Sequence, residues 1–424
     1  MSTPASSTIN SAEGIVVSTP LTAGGISGSR GRIASMQPLR HLRASLAPIA
    51  LAVCFATAAP PAAADGTVCE GAPHDAFSPG PSGWNVPGQP RDEAGNTNTQ
   101  TDAKVREAVR LIRTGRKYVL GHTYENSMPL FPGNLWSLES KAPLQVFRQV
   151  ANADMFHGEI SQNGTQLDAF GHFGLIPTPA SAPTDSFHYN CFRGHELYGA
   201  DGLQHLGVEN LKPFFTRGIL IDVLSHLHPE SETLPADAPQ LPIATHQQAG
   251  EITVSDVKRT LSKQGMSEDD IRPGDVVLIR TGWESKWNDP KGTVAYYAGA
   301  PGVPGRTPGV GLDLAVWLAA KQVAAVGSDN WGVEVAPKIA HTDDPTHPTN
   351  DPNVSFPVHN ELIVKHGIPH QESMVLSELA GDALDKVEER GRAAGRDAYT
   401  FAYIFVPVPL EGASGSPGVP IAIR

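Results

Sequence analysis

Residues 101–115, TDAKVREAVRLIRTG, set Val105, Ala108, Val109 and Ile112 on one helical face. Thr101 or Asp102 is placed to cap the start of that helix, and Gly115 to end it. A second helical period runs through TVSDVKRTLSKQG, where Val254, Val257 and Leu261 share a face ahead of Gly265. LDLAVWLAAKQ continues in the same sense, and HNELIVKHG predicts a short helix before the strand in IPHQESMVL. Between these segments lie short apolar runs rich in β-branched residues: GILIDVL (218–224), DVVLIRTGW (275–283) and VAAVGSDN (323–330). Such runs predict buried strands. KYVLGHTYENSMPLFPG predicts a short strand and a turn-rich loop, and a last strand is expected in YTFAYIFVPVPL, before the loop EGASGSPG. Strands alternating with helices predict an α/β sheet. The segment HTDDPTHPTNDPN (341–353) is expected to be a surface loop carrying solvated His341 and His347.

The N-terminal text does not follow these periods. Residues 1–35 are rich in Ser, Gly and Thr, without lysine, and are expected to be disordered or to precede the true start at Met36. Residues 36–64 begin with Arg40 and Arg43, continue through an apolar run and end in small residues. That order predicts a secretory signal peptide and a periplasmic or secreted protein, with no membrane association after cleavage. Cys54 after LAV is a weak match to a lipoprotein site. Residues 65–117 form a lead with one helix, and 118–424 the main domain.

Charge narrows the partners. The first 64 residues carry four arginines and one glutamate, so the remainder holds 28 basic and 43 acidic residues, a formal charge of −15. Without a basic stripe, nucleic acid is excluded as a natural partner, and a small-molecule substrate is expected. Cys69 and Cys191 remain after the cut; a disulfide and two buried thiols both stay open.

Candidate chemistry concentrates in SQNGTQLDAFGHFG, residues 161–174. Gly164-Thr165 predicts a sharp bend, and Gln166 and Asp168, two apart, share a strand face. A carboxylate near His172 serves metal binding or acid–base work. The alternative is that Asp168 caps a turn and His172 is a satisfied structural histidine. His359, before the short helix, and Glu372, after the following strand, complete a set of ligands for a divalent ion with Asp168. Glu372 between apolar residues requires a partner if buried. His157 and Arg280 are expected to be structural, Arg280 by pairing with a core carboxylate, and Trp283 and Trp331 to belong to the core. His122, in GHTYENSMP, is a candidate for the pocket.

The ordered series MPLFPG, GTQLDAFGH, RGILIDV, GDVVLIRTGW, VGSDNWGVE, VHNELIVKHGI and GASGSPGVPIAI resembles the Putative cyclase family, metal-dependent hydrolases related to bacterial kynurenine formamidase and isatin hydrolase. The resemblance spans about residues 118–424. It implies a single α/β domain of the swivelling β/β/α type, homodimers or homotetramers, and hydrolysis of a C–N bond in an amide, formamide or cyclic imide-like compound. The family signature H-x-G-T-H-x-D-x-x-x-H falls on Q-N-G-T-Q-L-D-A-F-G-H, so Gln162 and Gln166 stand where two ligand histidines are expected. Asp168 then matches the bridging carboxylate, His172 the histidine near the reacting water, and His359 and Glu372 the downstream ligands. The His359–Glu372 spacing is one residue longer than the family pattern. FHYNCFRG is similar to a segment of the glutamine-bearing branch, which makes Tyr189 and Asn190 pocket candidates, with Phe170 and Gln162 as further substrate contacts.

A carboxamide oxygen is a weak, neutral ligand beside imidazole. One divalent ion, manganese or zinc, is therefore expected where histidine-bearing relatives would hold two, bound by Asp168, His359 and Glu372 with the Gln166 oxygen completing the shell. His172 is the expected base. A lactone hydrolase or cyclase on the same fold, and a binding protein that has lost the metal, are the alternatives.

Overall fold

The computed structural model describes residues 69, 84–159, 161–227, 250–338 and 353–424. The expected signal peptide, Cys54, His341 and His347 lie outside the described residues. Among the described residues, nine strands make one mixed sheet. In chain order they are β1 (Lys117–Val119), β2 (Gln166–Asp168), β3 (Phe214–Asp222), β4 (Val276–Arg280), β5 (Ala325–Ser328), β6 (His370–Glu372), β7 (Thr400–Phe405), β8 (Gly415–Pro417) and β9 (Ile421–Ile423). Their spatial order is β1-β9-β7-β3-β4-β5-β6-β2-β8. The central four, β3 to β6, run parallel, and the flanking strands pair antiparallel. Parallel strands are covered on both faces and so carry continuous apolar runs. Accordingly Ile219, Leu220, Ile221, Val277, Leu278, Ile279 and Val326 are fully buried.

The helices follow the capping chemistry. Helix α1 (Asp102–Arg110) starts at Thr101, whose side chain accepts from the Lys104 N–H. Its buried face differs from the expected one. Val109 and Ile112 are exposed, while Lys104 and Ala108 are buried. The reason is electrostatic: the Lys104 ammonium pairs with Asp275, which also accepts 2.9 Å from Arg217 Nε. Helix α2 (Val254–Lys263) starts at a Thr253–Asp256 capping box and buries Val257 and Leu261 as expected. Helix α3 (Leu312–Ala320) packs in the main core. Helix α4 (Ser377–Arg390) has no counterpart among the sequence expectations.

A long hairpin leaves the domain between β1 and β2. Trp136–Ser140 pairs with Asp154–Gly158, and Leu144–Val146 with Gln149–Ala151. It is exposed along most of its length, so it shows no buried face for a period to reveal. Cys69 and Cys191 form a disulfide that ties the lead to the domain.

Asp275 is fully buried between Lys104 and Arg217, themselves nearly buried. Removing one partner of such a set leaves uncompensated charge inside. Asp275→Ala is expected to lower unfolding free energy by about 3–5 kcal/mol, measured by denaturant titration against wild type.

Candidate metal centre

The centre is built on the pairing of β2 with β6. In their antiparallel register Gln166 lies opposite Glu372, Leu167 opposite Gln371, and Asp168 opposite His370. Alternation therefore sends Gln166, Asp168, His370 and Glu372 to one face. Leu167 and Gln371 take the other, where the Tyr403 hydroxyl reaches Gln371 Oε1 at 3.3 Å. Asp168, His370 and Glu372 have no solvent exposure at all.

The turn before β2 is locked from several sides. Gly164 has φ +68°, and a Cβ there would meet the Tyr124 ring at 2.8 Å, so only glycine fits. Thr165 Oγ1 donates to the Ser373 carbonyl at 2.6 Å and accepts from the His122 N–H at 2.9 Å.

His359 enters from the other side, on the short helix Pro357–His359 that continues into a π-helical turn over Asn360–Lys365. A π turn accommodates one extra residue. The turn leads from His359 toward β6, and the imidazole faces that strand. His359 Nε2 lies 3.5 Å from Glu372 Oε1 and 3.8 Å from Asp168 Oδ2. Its Nδ1 donates to Glu334, which also accepts the His359 backbone N–H at 3.1 Å. That carboxylate fixes the ring so that Nε2 turns inward, as in carboxylate–histidine–metal arrangements. His172 Nε2 lies 3.5 Å from Asp168 Oδ2 at the partly exposed edge of the cluster.

The glutamines show a different chemistry from the expected one. Gln166 Oε1 accepts the Asn163 backbone N–H at 2.8 Å. A backbone N–H can only donate, so the amide orientation is decided. The Gln166 NH2 then faces inward, donating to Glu372 Oε2 at 3.0 Å and Asp168 Oδ1 at 3.4 Å. Gln166 is therefore not placed as an oxygen ligand; its oxygen is already taken by backbone. Gln162, in a left-handed conformation at φ +64°, donates from Nε2 to Asp168 Oδ2 at 3.3 Å and lies 3.3 Å from His172 Nε2. The carboxylate thus receives an amide hydrogen on each oxygen.

Other candidates lie elsewhere. Phe170 is fully buried, its ring 4.8 Å from Tyr189 and packed where a Gly95 side chain would stand. The Tyr189 hydroxyl donates to Asp92 at 2.9 Å, and Asn190 Nδ2 to the Asp92 carbonyl at 2.9 Å. These three residues anchor the N-terminal lead instead of lining the centre. His122 stacks on Trp287 at 3.9 Å. Arg280 pairs with Asp222 at 3.2 Å, and His157 lies on the exposed hairpin. Trp283 and Trp331 are buried in an aromatic cluster. Two residues of the centre went unseen in the sequence, His370 and Glu334. The H-x-E spacing of His370 and Glu372 on one strand was the available signal for the first.

Burial and the paired carboxylates set the electrostatics of the cluster. Burial, then the neighbouring Glu372, pushes the Asp168 carboxyl up to about 7. Burial lowers His172. Burial opposes the charged form of His359, but Glu334 and Glu372 outweigh it and raise that ring to about 10. Burial and the charge of His359 hold His370 well below its usual value. Among the described residues, both His370 ring nitrogens and Glu372 Oε1 are buried without a hydrogen-bond partner. Such atoms are costly unless something binds them. Two overlapping groups bring potential ligand atoms within 4.8 Å of one another: Asp168, His172 and His359; and His359, His370 and Glu372.

Residues 118–335 match the family described as "Putative cyclase". The chain belongs to that family. A solved structure described as a novel cyclase aligns with a TM-score of 0.60 and 26% identity, covering 78% of this chain and 96% of its own. Isatin hydrolase A from Ralstonia solanacearum aligns at a TM-score of 0.45 and 16% identity, over 73% of this chain and 92% of its own. No curated protein matches the sequence. Membership of the family supports the α/β fold and the broad reading, a metal-dependent hydrolase or cyclase.

Glu334 orients His359 without joining the cluster. Glu334→Gln is expected to weaken divalent-metal affinity about 10- to 100-fold, read by chelator competition, with the far-UV circular dichroism unchanged.

Proposed function

We propose that the protein is a metal-dependent hydrolase that cleaves a C–N bond of a small amide, formamide or cyclic imide-like compound. The observation that carries this reading is the set of ligand atoms on His370 and Glu372 that, among the described residues, have no hydrogen-bond partner, buried beside the inward-facing His359. His359 and Glu372 would hold the ion, with Asp168 and His370 on either side. When bound, a divalent ion there supplies Lewis-acid polarisation of a carbonyl and makes water more acidic.

The remaining steps fall to the chain's own groups. The Gln162 NH2 faces the Asp168 carboxylate, so His172 Nε2, beside the same NH2, is an acceptor. That is the base form of the imidazole, and burial favours it. His172 takes the proton from the attacking water and returns it to the leaving nitrogen. Asp168, 3.5 Å away, stabilises the imidazolium formed between these steps. Access is through the Gln162–His172 edge. Gln162 also lines an open cleft of about 500 Å³ with Phe131, Asn134 and Ser414. The Phe173 and Phe356 rings lie 4.5 and 5.4 Å from the His359 ring and offer an apolar wall to the substrate. The Cys69–Cys191 disulfide supports action in an oxidising compartment, periplasmic or secreted.

His172→Ala is expected to lower kcat at least about 100-fold on the best substrate of a panel of formamides, N-acyl compounds, cyclic imides and lactones, with metal content kept. Undiminished turnover in that variant would remove His172 as the base. Turnover of the lactones alone would favour ester chemistry on the same centre.

A further inference from the structure

We propose that His370 is a metal ligand, and that this chain binds its ion through His359, His370 and Glu372 and not through Asp168. The inference rests on the metal-dependent reading above and goes beyond it by naming the third ligand and the class of ion.

The two overlapping groups differ in what their atoms already hold. In the group with Asp168, each carboxylate oxygen faces an amide NH2, Oδ1 that of Gln166 and Oδ2 that of Gln162, and His172 Nε2 lies beside the Gln162 amide. In the group with His370, both ring nitrogens and Glu372 Oε1 have no hydrogen-bond partner. All three residues of this second group are buried, His359 2% exposed and the other two not at all. A neutral imidazole buried with neither nitrogen paired forfeits the hydrogen bonds it had in water. A ligand bond to one nitrogen removes part of that cost.

The strand supplies the aim. His370 and Glu372 are two apart on β6 and share its inner face. Their closest recorded approach is 3.9 Å, from His370 Nδ1 to Glu372 Oε1, and His359 Nε2 is 3.5 Å from the same oxygen. Glu372 Oε1 therefore faces both imidazoles, whose rings pack 4.6 Å apart. The other oxygen, Oε2, accepts from Gln166 at 3.0 Å. The Gln166 amide thus has a positive role: it orients Glu372 and turns Oε1 toward the histidines. The glutamines occupy the donor positions around Asp168, and the neighbouring strand supplies the histidine, His370. Two imidazoles and one carboxylate form a ligand set characteristic of catalytic zinc, so the nitrogen-rich set favours zinc over manganese.

The test loads the full chain with zinc and measures affinity by chelator competition for wild type, His370→Asn and Asp168→Asn, with X-ray absorption on zinc-loaded wild type to count imidazoles. The expected result is two imidazoles in wild type and a fall in affinity for His370→Asn beyond the roughly 100-fold that an outer-shell change produces, with a smaller fall for Asp168→Asn. One imidazole, or wild-type affinity in His370→Asn, overturns the proposal while leaving the metal-dependent reading in place. Failure of wild type to bind any divalent ion overturns both. If His370→Asn does not fold, the imidazole count on wild type decides alone.

Discussion

The register between β2 and β6 is the constraint on which the centre depends. With Gln166 opposite Glu372 and Asp168 opposite His370, four polar side chains meet on one buried face. A slip of one residue would bring Leu167 and Gln371 to that face and send the ligands to the other. The register is held from outside the pair. Thr165 Oγ1 is bonded to the Ser373 carbonyl just beyond β6, Gln371 Nε2 donates 2.7 Å to the Gln166 carbonyl, and β8 pairs with β2 on its far side. Gly164 makes the turn that lets the chain enter β2 at this point.

Burying Asp168, Glu372 and Glu334 so close together creates a shortage of positive charge and of donors. The chain answers in two ways. Around Asp168 it supplies neutral donors, the amides of Gln162 and Gln166. Near Glu372 it supplies imidazoles, one of them fixed by Glu334. The two glutamines are thus integrated into the buried hydrogen-bond network around Asp168 and Glu372. They place an amide NH2 against each Asp168 oxygen, and that of Gln162 also beside His172 Nε2.

Much of the fold was legible because parallel strands buried on both faces must be continuously apolar, as in GILIDVL and DVVLIRTGW. Helix α2 was legible because its capping box and apolar face agree. The exposed hairpin at 136–158 was not, since no face of it is buried. Of the site, Asp168, His172, His359 and Glu372 were reached through spacing and family resemblance, and the structure brings all four together. His370 was passed over because Glu372 drew the reading of its strand. Glu334 was invisible because it reaches His359 from 25 residues away. Tyr189 and Asn190 bond instead to Asp92, which lies in a lead segment with no period of its own to announce the contact. The Gln166 oxygen was misassigned because the competing donor is a backbone N–H, which no side-chain pattern records.

The central claim is that amides at positions 162 and 166 leave room for a single ion beside His359 and Glu372. Elemental analysis of the purified chain, saturated with zinc or manganese and then dialysed, tests it most directly. The account predicts one divalent ion per chain. Two ions per chain, or none, would contradict it.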